Sequence, residues 1–411
     1  MSGSTPHYTD PGTGRQIRVG TPAYRRVNLA LFSAGFVTFI TLYDVQPLLP
    51  LFAREFSVSP AVSSLPLSCA TVALATGMLV VGTVSETFGR KPVMTAALFA
   101  TSLLACATWF VHSFDSLLLL RLLQGTVLAG VPSVAMAYLG EEMDATAIGH
   151  AMGLYISGNA LGGMTGRIGA AALCDHLPWQ SAITLIGGIS LILSFVFLKA
   201  LPPSANFRQR RFQGSYLFTS LALHLREPGL LCLFALAFLC MGGFVSLYNY
   251  IGFRLLSPEY GLSQTGVSLI FLVYLLGSFS SGMVGTLIHR FGRQFMIRSA
   301  LITMLAGTLV TLAPSLALIV AGVGLFTCGF FSAHAIASSW VGRRAATARA
   351  QASSLYLFSY YLGSSVSGTA GGFFWTWLGW PGVAAMITLL TLSALWIARI
   401  LSRLPATDQD T

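Results

Sequence analysis

The sequence predicts an all-α integral membrane protein, with twelve transmembrane helices arranged as two six-helix halves. Three observations lead there. First, only 9% of the 411 residues are charged and 55% are hydrophobic, with a mean hydropathy of +0.74; a soluble domain carries about 25% charged residues. Second, the apolar residues fall in many separate runs, each near the roughly 20 residues a helix needs to cross the hydrocarbon. Third, the chain repeats its own motifs about half a length apart. Disordered, coiled-coil and collagen-like chains are excluded as well, because apolar content is high, heptads are missing and the 42 glycines follow no triplet period. A membrane barrel would alternate over segments of about ten residues. Runs such as Ile183–Leu198 and Ala384–Ile397 are instead uncharged and mostly apolar on every face.

Hydropathy places the spans at 28–51, 63–85, 92–112, 116–139, 149–173, 180–200, 229–252, 264–288, 295–312, 315–340, 350–374 and 381–402. Residues 1–27 form a polar tail without a cleavable signal, 28–201 the first half, 229–403 the second half and 404–411 a short tail. Between the halves, 202–228 is a polar linker containing Arg208, Arg210 and Arg211. Pro47 and Pro50 are expected to distort the first span and free backbone groups toward a cavity. The six cysteines, Cys69, Cys106, Cys174, Cys232, Cys240 and Cys328, form neither CxxC nor a metal spacing and are read as small hydrophobes.

The net charge of +10 has a topological explanation. With a cytoplasmic N-terminus, the cytoplasmic segments and helix ends hold 19 of the 23 basic residues, from Arg15 to Arg403. The opposite loops hold two, Arg54 and Arg254, and Arg121 and Arg167 lie inside spans. The positive-inside rule then puts both termini and the linker in the cytoplasm. The basic excess is a topogenic signal, and no nucleic-acid partner is expected.

The repeat is explicit. Gly82-Thr-Val-Ser-Glu86-Thr-Phe-Gly89-Arg90-Lys91 follows the second span, and Gly285-Thr-Leu-Ile-His-Arg290-Phe-Gly292-Arg293-Gln294 follows the eighth, 203 residues later. At an offset of 201, Ala151, Leu154, Tyr155, Leu161 and Gly162 match Ala352, Leu355, Tyr356, Leu362 and Gly363, and Trp179 matches Trp380. Two parallel six-helix halves with a site between them are a transporter architecture.

These motifs resemble those of the major facilitator superfamily. Its loop signature, G-x-x-x-D-R-x-G-R-K/R, is met by Gly82, Gly89, Arg90 and Lys91, with Glu86 for the aspartate and Thr87 for the first arginine; in the second copy Gly285, Arg290, Gly292 and Arg293 are kept and His289 takes the place of the acid. Arg121-x-x-Gln124-Gly125 is similar to the family's fourth-helix motif. Gly158-Asn159-Ala-Leu-Gly162-Gly163 is similar to the fifth-helix motif of its exporters, with Asn159 replacing a proline. The resemblance covers nearly the whole chain after residue 25 and implies the major facilitator fold.

Several residues stand out as functional candidates. The 82–91 and 285–294 segments are expected to be glycine-punctuated loops in which Glu86 pairs with Arg90 or a neighbouring base, a charge latch that gates one conformer. Gly158, Gly162 and Gly166, like Gly363 and Gly371 with Ser367, recur every four residues on one helix face and let neighbouring helices approach. Asp44 is the single acid well inside a span, and an intramembrane carboxylate must be paired or protonated; it is the proton-coupling candidate, with Arg121 as partner. Tyr43, Gln46, Arg167, Tyr248, Asn249, His334, Tyr356 and Tyr360 are candidates for substrate binding, as polar tips in an apolar pocket.

The resulting expectation is a secondary transporter of the bacterial inner membrane. It would move a small organic molecule by alternating access, as proton-coupled efflux or alternatively as proton-linked import of a sugar or organic acid. Neither HExxH, GxSxG nor a P-loop is present, so no enzyme and no ATP-driven pump is expected. The implied partners are a small-molecule substrate and the lipid bilayer, with a proton gradient in place of any cofactor or metal. The chain is expected to act as a monomer.

Overall fold

The computed structural model describes residues 16–207, 209, 219, 221–345 and 347–405. Arg15, Arg208, Arg210 and Arg211, which entered the charge asymmetry, lie outside the described residues. Apart from one bridge between Ile17 and Met143, the described residues form helices and their connections. Span one comprises Pro22–Tyr43, a 3-10 turn at Gln46–Leu48, and Leu49–Glu55. Spans two and three are Leu65–Phe88 and Arg90–Ala107, and span four is Phe114–Leu128 followed by Pro132–Glu142. Spans five and six are Ala145–Cys174 and Trp179–Ala200. The second half repeats the order: span seven Pro228–Leu255, span eight Gln264–Ser268 and Tyr274–Phe291 joined by a 3-10 turn, then spans nine to twelve, Arg293–Val310, Leu316–Arg344, Arg349–Leu378 and Trp380–Leu401.

Among the described residues, nine of these units are long and apolar enough to cross a membrane by length and composition. The other three are spans five, nine and eleven. Span five is rich in Gly and span eleven in Gly and Ser, and span nine opens on Arg293 and Arg298. Glycines packed against a neighbouring helix need not be lipophilic, so hydropathy under-reports such spans.

One sequence expectation is corrected here. The segment 82–91 is no loop: Gly82 and Glu86 lie within the helix Leu65–Phe88, and Arg90 opens the next. Only Gly89 breaks the chain, at φ 97°, and Gly292 does the same in the second copy, at φ 78°. A left-handed or mirror-β backbone of this kind is open to glycine at little cost. Gly82 and Gly285 sit on open helix surface, where an added Cβ would touch nothing within 4 Å.

Each half is stitched by glycine faces. A Cβ on Gly158 or Gly162 would collide with the carbonyls of Phe32 or Phe36, and one on Gly166 would lie 2.5 Å from that of Ile40, so span five lies backbone to backbone on span one. In the second half, a Cβ on Gly363 would collide with the Phe238 carbonyl, which sets span eleven on span seven in the same way; Gly371 faces the Tyr250 ring. The repeated tryptophans also occupy matching places. Trp179 Nε1 donates to Glu55 Oε1 at 2.7 Å and Trp380 Nε1 to the Thr311 carbonyl at 3.1 Å.

The halves meet at the end remote from the termini. Ser68 Oγ lies 2.9 Å from Thr369 Oγ1, Thr71 Oγ1 lies 2.7 Å from Ser365 Oγ, and the Thr265 amide donates to Asp175 Oδ2 at 3.0 Å. There Ala61 packs so tightly on Gly372 that no Cβ fits between them.

Candidate functional site

Span one supplies the centre of the site because it is broken. Pro47 cannot donate to the ladder and its ring clashes with the preceding turn, so the helix stops at Tyr43 and resumes past Gln46–Leu48. A helix end leaves its last carbonyls without helical donors. Two of them are taken by Arg121 of span four, whose Nη1 donates to Thr41 O at 2.8 Å and Nη2 to Leu42 O at 2.5 Å. The same guanidinium reaches Gln124 Oε1 at 2.6 Å, Pro66 O at 3.3 Å and Asp44 Oδ1 at 3.2 Å. Asp44 and Arg121 therefore form an ion pair, 0% and 2% exposed, that ties spans one, two and four together. Asp44 Oδ2 is buried with no hydrogen-bond partner among the described residues. Gly125, next in the Arg121-x-x-Gln124-Gly125 motif, lets span four approach the Ala70 carbonyl of span two, where a Cβ would collide.

A second buried group lies beside this break. Arg167 of span five donates from Nε to Gln46 Oε1 at 2.6 Å and from Nη1 to Gly163 O at 2.8 Å. Gln46 Nε2 passes the chain across the halves to Asn249 Oδ1 at 2.8 Å. The guanidinium lies 3.9 Å from the ring centroid of Tyr43, 4.9 Å from that of Tyr274 and 5.1 Å from that of Phe271. Tyr248 joins this layer through the Tyr274 ring at 5.0 Å, and its hydroxyl lies 2.7 Å from Thr327 Oγ1.

The remaining candidates form a cluster in the second half. Tyr356 OH lies 3.0 Å from His334 Nδ1, and the Tyr360 ring is 4.8 Å from the His334 ring. A crevice lined by these three side chains with Cys240, Phe330 and Ala337 opens between spans seven, ten and eleven. Phe330, stacked on Phe244 at 3.9 Å, links the cluster to Tyr274 through Phe244 at 5.5 Å. The eight substrate-binding candidates thus fall into two groups joined by rings. Tyr274, another polar-tipped residue of the predicted spans, and Phe271 both line the Arg167 box; Phe271, purely apolar, carries no such signal in the sequence.

The latch differs from its expected form. Arg90 does not pair with Glu86; its Nη2 bonds Glu141 Oε1 at the end of span four, at 2.6 Å, and its Nη1 donates to Ser85 Oγ at 2.5 Å. Lys91 Nζ donates to the Leu201 carbonyl at 2.5 Å. The cluster is internal to the first half. In the second copy Arg290 is exposed and lies 5.2 Å from the Phe291 ring, and an ion pair near that end joins Arg344 to Glu227, at 3.0 Å. Gly89→Val and Arg90→Ala are each expected to slow transport by about tenfold at equal membrane levels. The first forces a β-branched residue into a backbone region open almost only to glycine, at a cost of about 1–3 kcal/mol, and the second strands Glu141. Turnover measured per inserted molecule decides, and wild-type rates in both would reduce the segment to a turn.

Residues 29–337 match the sequence profile of the Major Facilitator Superfamily. The MFS-type transporter YybF of Bacillus subtilis (strain 168) is 49% identical over 387 residues, covering 94% of this chain and 96% of that protein. The inner membrane transport protein YnfM of Escherichia coli (strain K12) is 47% identical over 387 residues, covering 94% and 93%. The crystal structure of the nucleoside transporter NupG superposes with a TM-score of 0.77 at 13% identity, covering 91% of this chain and 99% of that one, a likeness of fold. With its spans, its repeat and these matches, the chain belongs to the major facilitator superfamily and is a multi-pass membrane transporter.

Proposed function

We propose that this transporter exports a small organic molecule from the cytoplasm in exchange for protons, rocking its two halves around a site between spans one, five, seven, eight, ten and eleven. The observation that carries the reading is the buried Asp44–Arg121 pair at the break of span one. An intramembrane ion pair is expensive and marks proton or ion pathways. Here one carboxylate oxygen is held by Arg121 and the other has no partner among the described residues, so a proton taken at Oδ2 removes the charge without dismantling the arginine's contacts to four neutral acceptors. Protonation and release at this point switch the Arg121–Asp44 contact between a neutral hydrogen bond and an ion pair, and a pair of states differing in that way is what a gradient can drive.

Both termini and the linker face the cytoplasm in this reading, on the basic asymmetry of 19 residues against two. The closed end of the molecule then faces outward. The bacterial inner membrane is the proposed location, in line with the printed name of the Escherichia coli relative. Export is favoured over import by the helix-five glycine pattern alone. The molecule works as a monomer with no cofactor, the proton gradient being its energy source.

Transport of labelled organic acids, cations and sugars into inverted membrane vesicles, with and without an acid-inside gradient, tests this. Uptake driven by the gradient, with matching proton release, is the expected result. Accumulation only in right-side-out vesicles with inward proton flow would make the protein an importer.

A further inference from the structure

The surroundings of Arg167 bear on what is transported. Its side chain is 3% exposed and sits on span five, seven residues before the helix ends at Cys174. The ion pairs among the described residues are Arg90–Glu141, Asp44–Arg121 and Glu227–Arg344, and Arg167 belongs to none of them. Its acceptors, Gln46 Oε1 and the Gly163 carbonyl, are neutral. A buried cation is costly unless an opposite charge answers it. Ring faces return part of that cost, and Tyr43, Phe271 and Tyr274 present three of them. They supply no negative charge. Arg121, on the next helix, is answered by Asp44, which makes the difference between the two arginines a specific one.

Beside Arg167 two further donors lack partners among the described residues. Asn249 Nδ2 and Tyr274 OH are both unpaired, on residues 1% and 7% exposed. Asn249 is joined to Arg167 through Gln46, and the Tyr274 ring touches the guanidinium. One fixed positive charge and two unpaired neutral donors are what an anionic group would complete. The planar guanidinium matches a carboxylate in shape and charge. A single cation in the cluster suits one negative charge better than the two of a phosphate monoester. The ring path from Tyr274 through Phe244 to Phe330 provides an apolar wall for the rest of the molecule.

We propose that Arg167 is the anion-binding residue of the transport site and that the cargo is an organic monocarboxylate with a flat apolar body; this rests on the transport reading above. Arg167 and Gln46 belong to the first half, Asn249 and Tyr274 to the second. A bound carboxylate accepting from Arg167, Asn249 Nδ2 and Tyr274 OH therefore engages both halves at once, and it leaves the Gln46 Nε2 to Asn249 Oδ1 bond that joins them in place.

The test is thermal unfolding of the purified full chain with benzoate and 2-naphthoate, their neutral amides, and potassium chloride at equal concentration. Ligands that bind only the folded state raise the midpoint. Both acids are expected to raise it, and the amides and chloride are not. Arg167→Gln should remove the shift, and Arg167→Lys should keep it with an apparent affinity weaker by about tenfold, since an ammonium loses the bidentate geometry. Equal shifts from acid and amide overturn the proposal, as do equal shifts from chloride, no shift from either acid, or an undiminished shift in Arg167→Gln. Should Arg167→Gln not fold, the acid-against-amide comparison on the native chain decides. Asp44→Asn separates the two readings. It should keep the acid shift while losing gradient-driven transport, so loss of the anion effect alone leaves the coupling reading standing.

Discussion

Asp44→Asn is expected to abolish uphill transport and leave the protein folded. The substitution is nearly isosteric, and its side-chain oxygen can still accept from Arg121 Nη1. Arg121 keeps the Thr41, Leu42 and Pro66 carbonyls and Gln124 Oε1, so the break in span one retains its main clasp. What is lost is the carboxyl that takes up and releases the proton in the proposed cycle. Gradient-driven flux should fall on the order of a hundredfold, equivalent to about 2.7 kcal/mol, while substrate exchange down its own gradient continues. Asp44→Glu should keep part of the activity, with the extra methylene penalised in a site that is 0% exposed. Proton and substrate fluxes measured together in reconstituted vesicles decide the matter. If the Asn variant still concentrates substrate under a pH gradient, Asp44 is a structural partner of Arg121, and the coupling group has to be sought at His334 or elsewhere.

How far the sequence discloses this site depends on which residues are asked about. Asp44 is legible because it is the one acid well inside a span predicted from hydropathy and because two prolines follow it within six residues. Arg121 is legible from its depth and its motif. The carbonyls it captures are not, since they exist as acceptors only once the helix has stopped at Tyr43. Glu141 is invisible to a search along the 82–91 motif, because it reaches Arg90 from the far end of another helix, 51 residues away. The box around Arg167 is assembled from both halves, with Phe271 and Tyr274 lying more than a hundred residues beyond it, and no local spacing encodes that juxtaposition. The glycine faces lie at the other extreme. A four-residue recurrence of small side chains already states which side of the helix must be thin, though not which helix it meets.

That recurrence leads to the most damaging substitution expected, Gly162→Leu. The Gly162 Cα faces span one so closely that an added Cβ would overlap the Phe36 carbonyl and lie 2.7 Å from the Phe36 Cα. Those are backbone atoms in the middle of a helix and cannot swing aside as a side-chain end would. A leucine must therefore push span five off span one, which also opens the contacts of Gly158 on Phe32 and Gly166 on Ile40. Overpacking a core costs about 1–3 kcal/mol when side chains can adjust, and here the obstacle is main chain along a whole interface, so the upper end or beyond is expected. Gly363→Leu should behave alike, because its Cβ would meet the Phe238 carbonyl at the equivalent place in the second half. Gly153→Leu is the control. It lies on the same helix with nothing within 4 Å of an added Cβ, and leucine there favours the helix over glycine. Size-exclusion profiles and unfolding midpoints of the three variants give the answer: loss of a monodisperse species at 162 and 363 with a native-like protein at 153. A folded, active Gly162→Leu would mean that spans one and five separate freely there.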